Sequence, residues 1–374
     1  QLSKDTGCII VSISYRLNVF GFLNLSSFSS RFDDHIGMKD IIMAMRWVHD
    51  AISSFGGDPG NVTLFGESAG GEAISALLLI DEASPYFHKA IIQSNCFGSF
   101  YTVEEEQEIC KLYLGFAGLK PEDADQLLNL PYERLIEAGR ALDAYVSEHY
   151  TGRCSFCPVV DGAFLRDFPT LADFSAMAKP VLVGTNRSEG NFQAAFTWPN
   201  PEKFAPLVLQ RLEPETREAL LAHYPGLPDK AAFGELLTDV MYAFPKIRFA
   251  ERLSRGKSQV YVYRFDYYTK VLETYHLYAC HVSELLPFFE VPTEPYCQLF
   301  AGSEEEMRPI GTRMRRYWGA FARTGVPAVP GQAEWKPYTE QERYTMVIDR
   351  EDHLELDPEA EIRARYQGID RVLI

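Results

Sequence analysis

The sequence predicts an α/β fold with a mostly parallel central sheet, and three observations carry that expectation. β-prone and helical segments alternate along the first hundred residues, the order in which parallel strands are joined by crossover helices. A Gly-x-Ser-x-Gly turn, Gly66-Glu67-Ser68-Ala69-Gly70, stands between a β-prone run and a helical one. The 374 residues are 46% hydrophobic and 13% aromatic, enough apolar side chain for a large core. No linker, low-complexity tract or internal repeat divides the chain, so one domain over residues 1–374 is expected.

The elements follow in order. Cys8-Ile9-Ile10-Val11-Ser12-Ile13 reads as a buried strand, so the chain begins in mid-domain, with neither an initiator Met nor a signal segment before it. A helix follows in which Ile41, Ala44, Met45, Val48, Ile52 and Phe55 recur at helical spacing, and Gly56-Gly57 stops it. Residues 58–61, Asp-Pro-Gly-Asn, turn the chain into a strand at 62–65, and a helix over 73–80 leads to another strand at 89–93. Residues 102–144 read as a helical insertion over the sheet, opened by a Thr102/Glu105 capping box and punctuated by Pro121 and Pro131. Strands resume at 181–183 and 260–265, and a last one at 345–348 precedes a charged tail. The acid runs 104–106 and 304–306 read as solvated helix faces.

Charge and cysteine usage bound the partners. A net charge of -16 repels phosphate backbones and anionic membranes, which excludes nucleic acid and leaves a neutral small molecule as the better-matched substrate. The longest apolar runs, such as residues 76–80, fall far short of the roughly 20 residues of a membrane span. Seven cysteines make no disulfide framework, and their odd count leans toward a reducing, cytoplasmic setting rather than secretion. Cys154 and Cys157 have suggestive spacing. A zinc ribbon would need a second such pair and a redox motif a thioredoxin-like context, so they read as two ordinary core or loop thiols.

The chemistry centres on Ser68. A serine hydroxyl is a weak nucleophile unless a strained strand-to-helix turn presents it to a base, with a helix N-terminus behind the developing charge. Gly66 and Gly70 are expected to make that turn sterically possible. The base must be a histidine, and an acid must fix its tautomer. His35, His49, His88, His149, His223 and His353 read as surface or capping residues. His281, among small and apolar neighbours about 210 residues after the serine, fits the order serine, acid, histidine, with His276 as its local competitor. Glu189 is favoured as the acid because it lies just beyond the strand at 181–183, where catalytic groups collect in parallel sheets. Asp161 and Asp167 are further candidates.

Along nearly its whole length the chain resembles the type-B carboxylesterases and cholinesterases of the α/β-hydrolase fold. The resemblance rests on Ser14-Tyr15-Arg16-Leu17 with Phe20-Gly21-Phe22-Leu23, on Gly37-Met38-Lys39-Asp40, and on Phe55-Gly56-Gly57-Asp58-Pro59 running into residues 61–71. Further matches are residues 87–94, Pro158-Val159-Val160-Asp161-Gly162, the Glu189 loop, the His281 segment, residues 317–325 and Trp335-Lys336-Pro337-Tyr338.

That resemblance implies a serine ester hydrolase with Ser68 as nucleophile, Glu189 as orienting acid, His281 as general base, and the Ala69 backbone N–H in the oxyanion hole. It implies no metal and no cofactor. The alternatives are a cholinesterase-like adhesion or interaction protein, which would commonly lack the nucleophile present here, and a serine hydrolase of amides, thioesters or lipids. Val282 and Asn95 stand where the resembled family usually has glycine. The resemblance also implies a Gly-rich oxyanion loop upstream of residue 8, which the chain begins too late to hold. The strand before that loop would lie between residues 8–13 and 62–65, so a gap between two buried strands is expected, with a chain that is poorly soluble or inactive.

Overall fold

Six strands form the central sheet: β1 (Thr63–Glu67), β2 (Lys89–Gln93), β5 (Val181–Asn186), β6 (Val260–Phe265), β7 (Tyr344–Ile348) and β8 (His353–Leu356). Their spatial order follows the chain, β1-β2-β5-β6-β7-β8, and the intervening β3 (Tyr101–Thr102) and β4 (Val159–Val160) pair separately. The first five sheet strands run parallel, in a register that sets Thr63 beside Lys89, Ala90 beside Val181, Val181 beside Val260 and Val262 beside Thr345; β8 closes the edge antiparallel to β7. The computed structural model describes residues 1–97, 99–290 and 304–369.

Alternation along each strand builds two cores. Ala90, Ile92, Val181, Val183, Val260 and Val262 face one way, against Ile41, Met45, Ile74 and Phe249 from the flanking helices. Ile91, Leu182, Tyr261, Tyr263 and Phe265 face the other, against Met314, Tyr317, Trp318 and Phe321 of the helix Glu304–Thr324. Successive side chains of a strand point to opposite faces, so near-continuous apolar strands require cover on both sides, and here they have it. The insertion is the expected helical one. Thr102 and Glu105 form the reciprocal capping box at the start of Val103–Phe116, which packs on Tyr132–His149 through Cys110, Tyr113 and Leu142. No helix among the described residues is long and apolar enough to cross a membrane.

Four expectations need correction. Residues 8–13 form no strand: they make no ladder, and Ile9, Ile10, Val11 and Ile13 are each more than a third exposed. β propensity reports how well a side chain fits a pleated, half-buried surface, and these residues have no neighbouring strand to supply it. Between them and β1 runs a groove of about 460 Å³ lined by Ile9, Val11, Leu64, Ile74, Phe288 and Trp318. β1 is consequently an edge strand whose residues are only half-buried, although Leu64 and Phe65 are apolar.

The tail after β7 is not merely charged, since it returns as β8 and the helix Ala360–Arg365. The acid run at 104–106 is solvated only at Glu104; Glu106 is buried, accepting the Asn24 backbone N–H at 2.8 Å, and burial pushes its carboxyl up to about 8. The two turn glycines differ as well. A Cβ on Gly66 would stand 2.7 Å from the Gly70 carbonyl carbon, whereas one on Gly70 would meet nothing within 4 Å. Gly66 alone is required by close backbone approach.

Candidate active site

Ser68 is the first residue after β1, with φ 55° and ψ −119°, and the helix Ala69–Leu77 starts immediately behind it. A non-glycine residue in that region is strained by about 1–3 kcal/mol. The surroundings hold it there. Its N–H donates to the Gln93 carbonyl at 2.9 Å, and its carbonyl accepts the Glu72 N–H at 2.9 Å, so strand β2 and the new helix fix both sides of the turn.

Glu189 follows β5 by three residues and is fully buried. Its Oε1 accepts the Asn186 N–H at 2.7 Å, which locks the carboxylate against the strand end. His281 comes from the long connection after β6 and is 7% exposed. Backbone bonds stitch this connection to the Glu189 loop: Ser188 N–H donates to the Ala279 carbonyl and His281 N–H to the Glu189 carbonyl. His281 Nδ1 lies 2.8 Å from Glu189 Oε2, and His281 Nε2 lies 2.9 Å from Ser68 Oγ. The structure thus brings Ser68, His281 and Glu189 into one hydrogen-bonded line at the C-terminal ends of parallel strands.

With Oε2 accepting, the imidazole proton sits on Nδ1 and Nε2 is left to accept from the serine hydroxyl. Ala69 occupies the first position of its helix, where a backbone N–H has no partner within the helix. That N–H is available to a developing oxyanion. The other candidates lie elsewhere. His276 is exposed, with its ring nitrogen near the Tyr278 hydroxyl. Asp161 pairs with His35 Nε2 at 3.0 Å and caps three backbone N–H groups, while Asp167 caps Phe168. His35, expected as a surface or capping residue, stands at the N-cap of the helix Ile36–Ala51, and its ring is buried by that pairing and by stacking on Phe164.

Sequence reasoning missed the carboxyls behind the line. Glu67 Oε1 lies 3.5 Å from His281 Nε2 and has no hydrogen-bond partner, and burial with the neighbouring Glu284 pushes its carboxyl up to about 9. Glu284, fully buried, accepts the Asn186 side-chain amide at 2.6 Å; burial and Glu189 raise it to about 7. Burial alone would lower the His281 pKa, but the hydrogen bond and charge of Glu189, aided by Glu67 and Glu284, outweigh it and raise it to about 9. The signal was available, since Glu67 adjoins the serine and Glu284 follows the histidine by three residues.

The two departures from glycine also resolve physically. Val282 has φ 66°, a left-handed conformation that costs a β-branched residue energy and that glycine adopts freely. Asn95 is buried, its amide donating to Ser75 Oγ at 3.0 Å. Phe288 belongs to the core beside Trp318, and Phe289 is partly exposed.

Comparison with known proteins relates the chain to esterases. Residues 1–363 match the carboxylesterase family. The para-nitrobenzyl esterase of Bacillus subtilis (strain 168) is 32% identical over 379 residues, covering 98% of this chain and 74% of that protein. Carboxylesterase 1D of Rattus norvegicus is 28% identical, covering 92% of this chain and 66% of the rat protein. Among solved structures, a thermophilic para-nitrobenzyl esterase superposes with a TM-score of 0.83 at 30% identity, over 97% of this chain and 74% of its own. A carboxylesterase of Geobacillus stearothermophilus gives 0.81 at 30% identity, over 98% and 77%.

Proposed function

The chain belongs to the carboxylesterase family, its matched relatives are named esterases and carboxylesterases, and from that premise we propose that it cleaves esters through an acyl intermediate on Ser68. The observation that carries the reading is the continuous line from Glu189 Oε2 through His281 to Ser68 Oγ, with spacings of 2.8 and 2.9 Å.

In the first half-reaction Ser68 Oγ attacks the ester carbonyl carbon while His281 Nε2 takes its proton. Glu189 stabilises the imidazolium, and the Ala69 N–H faces the oxyanion at the positive end of its helix. Collapse of the tetrahedral intermediate breaks the bond to the alcohol, which leaves with the proton from Nε2. Water then enters, gives a proton to the same nitrogen and attacks the acyl carbon, releasing the acid and restoring Ser68. The substrate is a small neutral ester, in keeping with a chain of net charge -16.

Hydrolysis of a para-nitrophenyl ester by the purified chain and by Ser68→Ala tests this. The substitution is expected to abolish turnover. Retention of activity in the folded variant would remove Ser68 from the reaction.

A further inference from the structure

Cys154 and Cys157 lie between the helix Tyr132–His149 and β4, and the esterase chemistry uses neither of them. Cys157 is buried, with its thiol donating to the Cys154 carbonyl at 3.3 Å, whereas Cys154 is exposed. Ser99 joins them to the active-site wall: its hydroxyl lies 3.6 Å from Cys154 Sγ and 3.4 Å from Cys96 Sγ, on the loop that follows β2 and the Gln93 contact of Ser68. Tyr242, whose ring centre is 5.1 Å from that of His281, lies within the electrostatic reach of Cys96, Cys154, Glu189 and Glu67 together.

An exposed cysteine followed three residues later by a buried one, whose thiol reaches the first one's carbonyl, is the arrangement of an attacking and a resolving cysteine. We propose that Cys154 is a modification site for low-molecular-weight disulfides of the glutathione class, resolved by Cys157 into a Cys154–Cys157 disulfide at the wall of the ester site. The Cys154 thiolate attacks one sulfur of oxidised glutathione, breaking its S–S bond and releasing one glutathione thiolate. Cys157 then attacks Cys154 Sγ and releases the second. The two cysteines lose two electrons and two protons; the glutathione disulfide takes the electrons, and the released thiolates take the protons. The asymmetry of the pair favours this direction. The neighbouring Cys157 thiol, with help from Ser99 and a charged His281, draws the Cys154 thiol below the ordinary range, whereas burial drives Cys157 well above it.

The consequence for esterase activity rests on the reading of Ser68, His281 and Glu189 given above, whereas the thiol chemistry does not. The reduced 374-residue chain is treated with iodoacetamide at pH 6.5, and modification is followed by peptide mass. Cys154 is expected to react about tenfold faster than the half-exposed Cys8. Equal or slower reaction would overturn the proposal with no variant involved. With oxidised glutathione, the peptide holding both cysteines is expected to lose two hydrogens in the wild type, to stop at the glutathione adduct in Cys157→Ser, and to remain unmodified in Cys154→Ser. A stable adduct in the wild type would remove Cys157 from the scheme. Oxidation is expected to lower para-nitrophenyl ester hydrolysis several-fold, reversibly with dithiothreitol, and an unchanged rate would refute a place at the site wall. A chain with no esterase activity before oxidation would count against the esterase reading and leave the mass results standing.

Discussion

Replacing Glu189 by glutamine changes one oxygen to an amide and leaves the side-chain shape intact. Both carboxylate oxygens act as acceptors, Oε1 from the Asn186 N–H at 2.7 Å and Oε2 from His281 Nδ1 at 2.8 Å. Glutamine has a single acceptor oxygen, so one of those donors must face an NH₂ group, at a cost of about 1–3 kcal/mol for a buried group left unpaired. The larger loss is charge. A carboxylate and an imidazolium whose centres lie about 4 Å apart attract by about 4 kcal/mol at an effective dielectric near 20, and this attraction exists only once His281 has taken the serine proton. Converted to rate, that is a fall in kcat of roughly a thousandfold. Steady-state hydrolysis of a para-nitrophenyl ester, with circular dichroism to verify folding, measures it. A folded Glu189→Gln enzyme within tenfold of wild type would refute the assignment of Glu189 as the group that stabilises the imidazolium.

Other consequences can be checked alongside. Only neutral His281 accepts the Ser68 proton, and its pKa is raised to about 9, so kcat/KM is expected to rise with pH well above the range of an ordinary histidine. Glu67→Gln removes one of the raising charges and should move that limb to lower pH, and a limb that stays in place would exclude Glu67 from the electrostatics of the base. Gly66→Ala should unfold or inactivate the chain because its Cβ meets Gly70 backbone at 2.7 Å, while Gly70→Ala should fold, as thermal melts of the two would reveal. Equal melting points would contradict the packing account.

What could be read from the sequence depended on the range of the interaction involved. The Ser68 turn was legible because its determinants are local: β-prone residues before it, Gly66 where the backbone closes, and a helix after it. Strands β2 and β6 were legible to the residue because apolar runs covered on both faces need no partner-specific pattern. His281 and Glu189 emerged from chain order and the strand-end rule, yet choosing them over His276 and Asp161 required the resemblance, since only the folded backbone sets Nδ1 against Oε2. Glu106 was misread, and the burial of the His35 ring missed, because their partners, the Asn24 N–H and Asp161, lie 82 and 126 residues away. Residues 8–13 were misread for the opposite reason. Their β-branched sequence is strand-like, but a strand exists only in a ladder, and none forms beside them.

The central claim is that Ser68, activated by His281, is the nucleophile. Prolonged reaction of the chain with a fluorophosphonate, followed by peptide mass analysis, tests it most directly, because an irreversible probe accumulates even on a slow enzyme. The account predicts a single phosphonylated residue, Ser68, with no labelling in Ser68→Ala and strongly slowed labelling in His281→Ala. Labelling that survives Ser68→Ala, or that maps to another residue in the wild type, would contradict it.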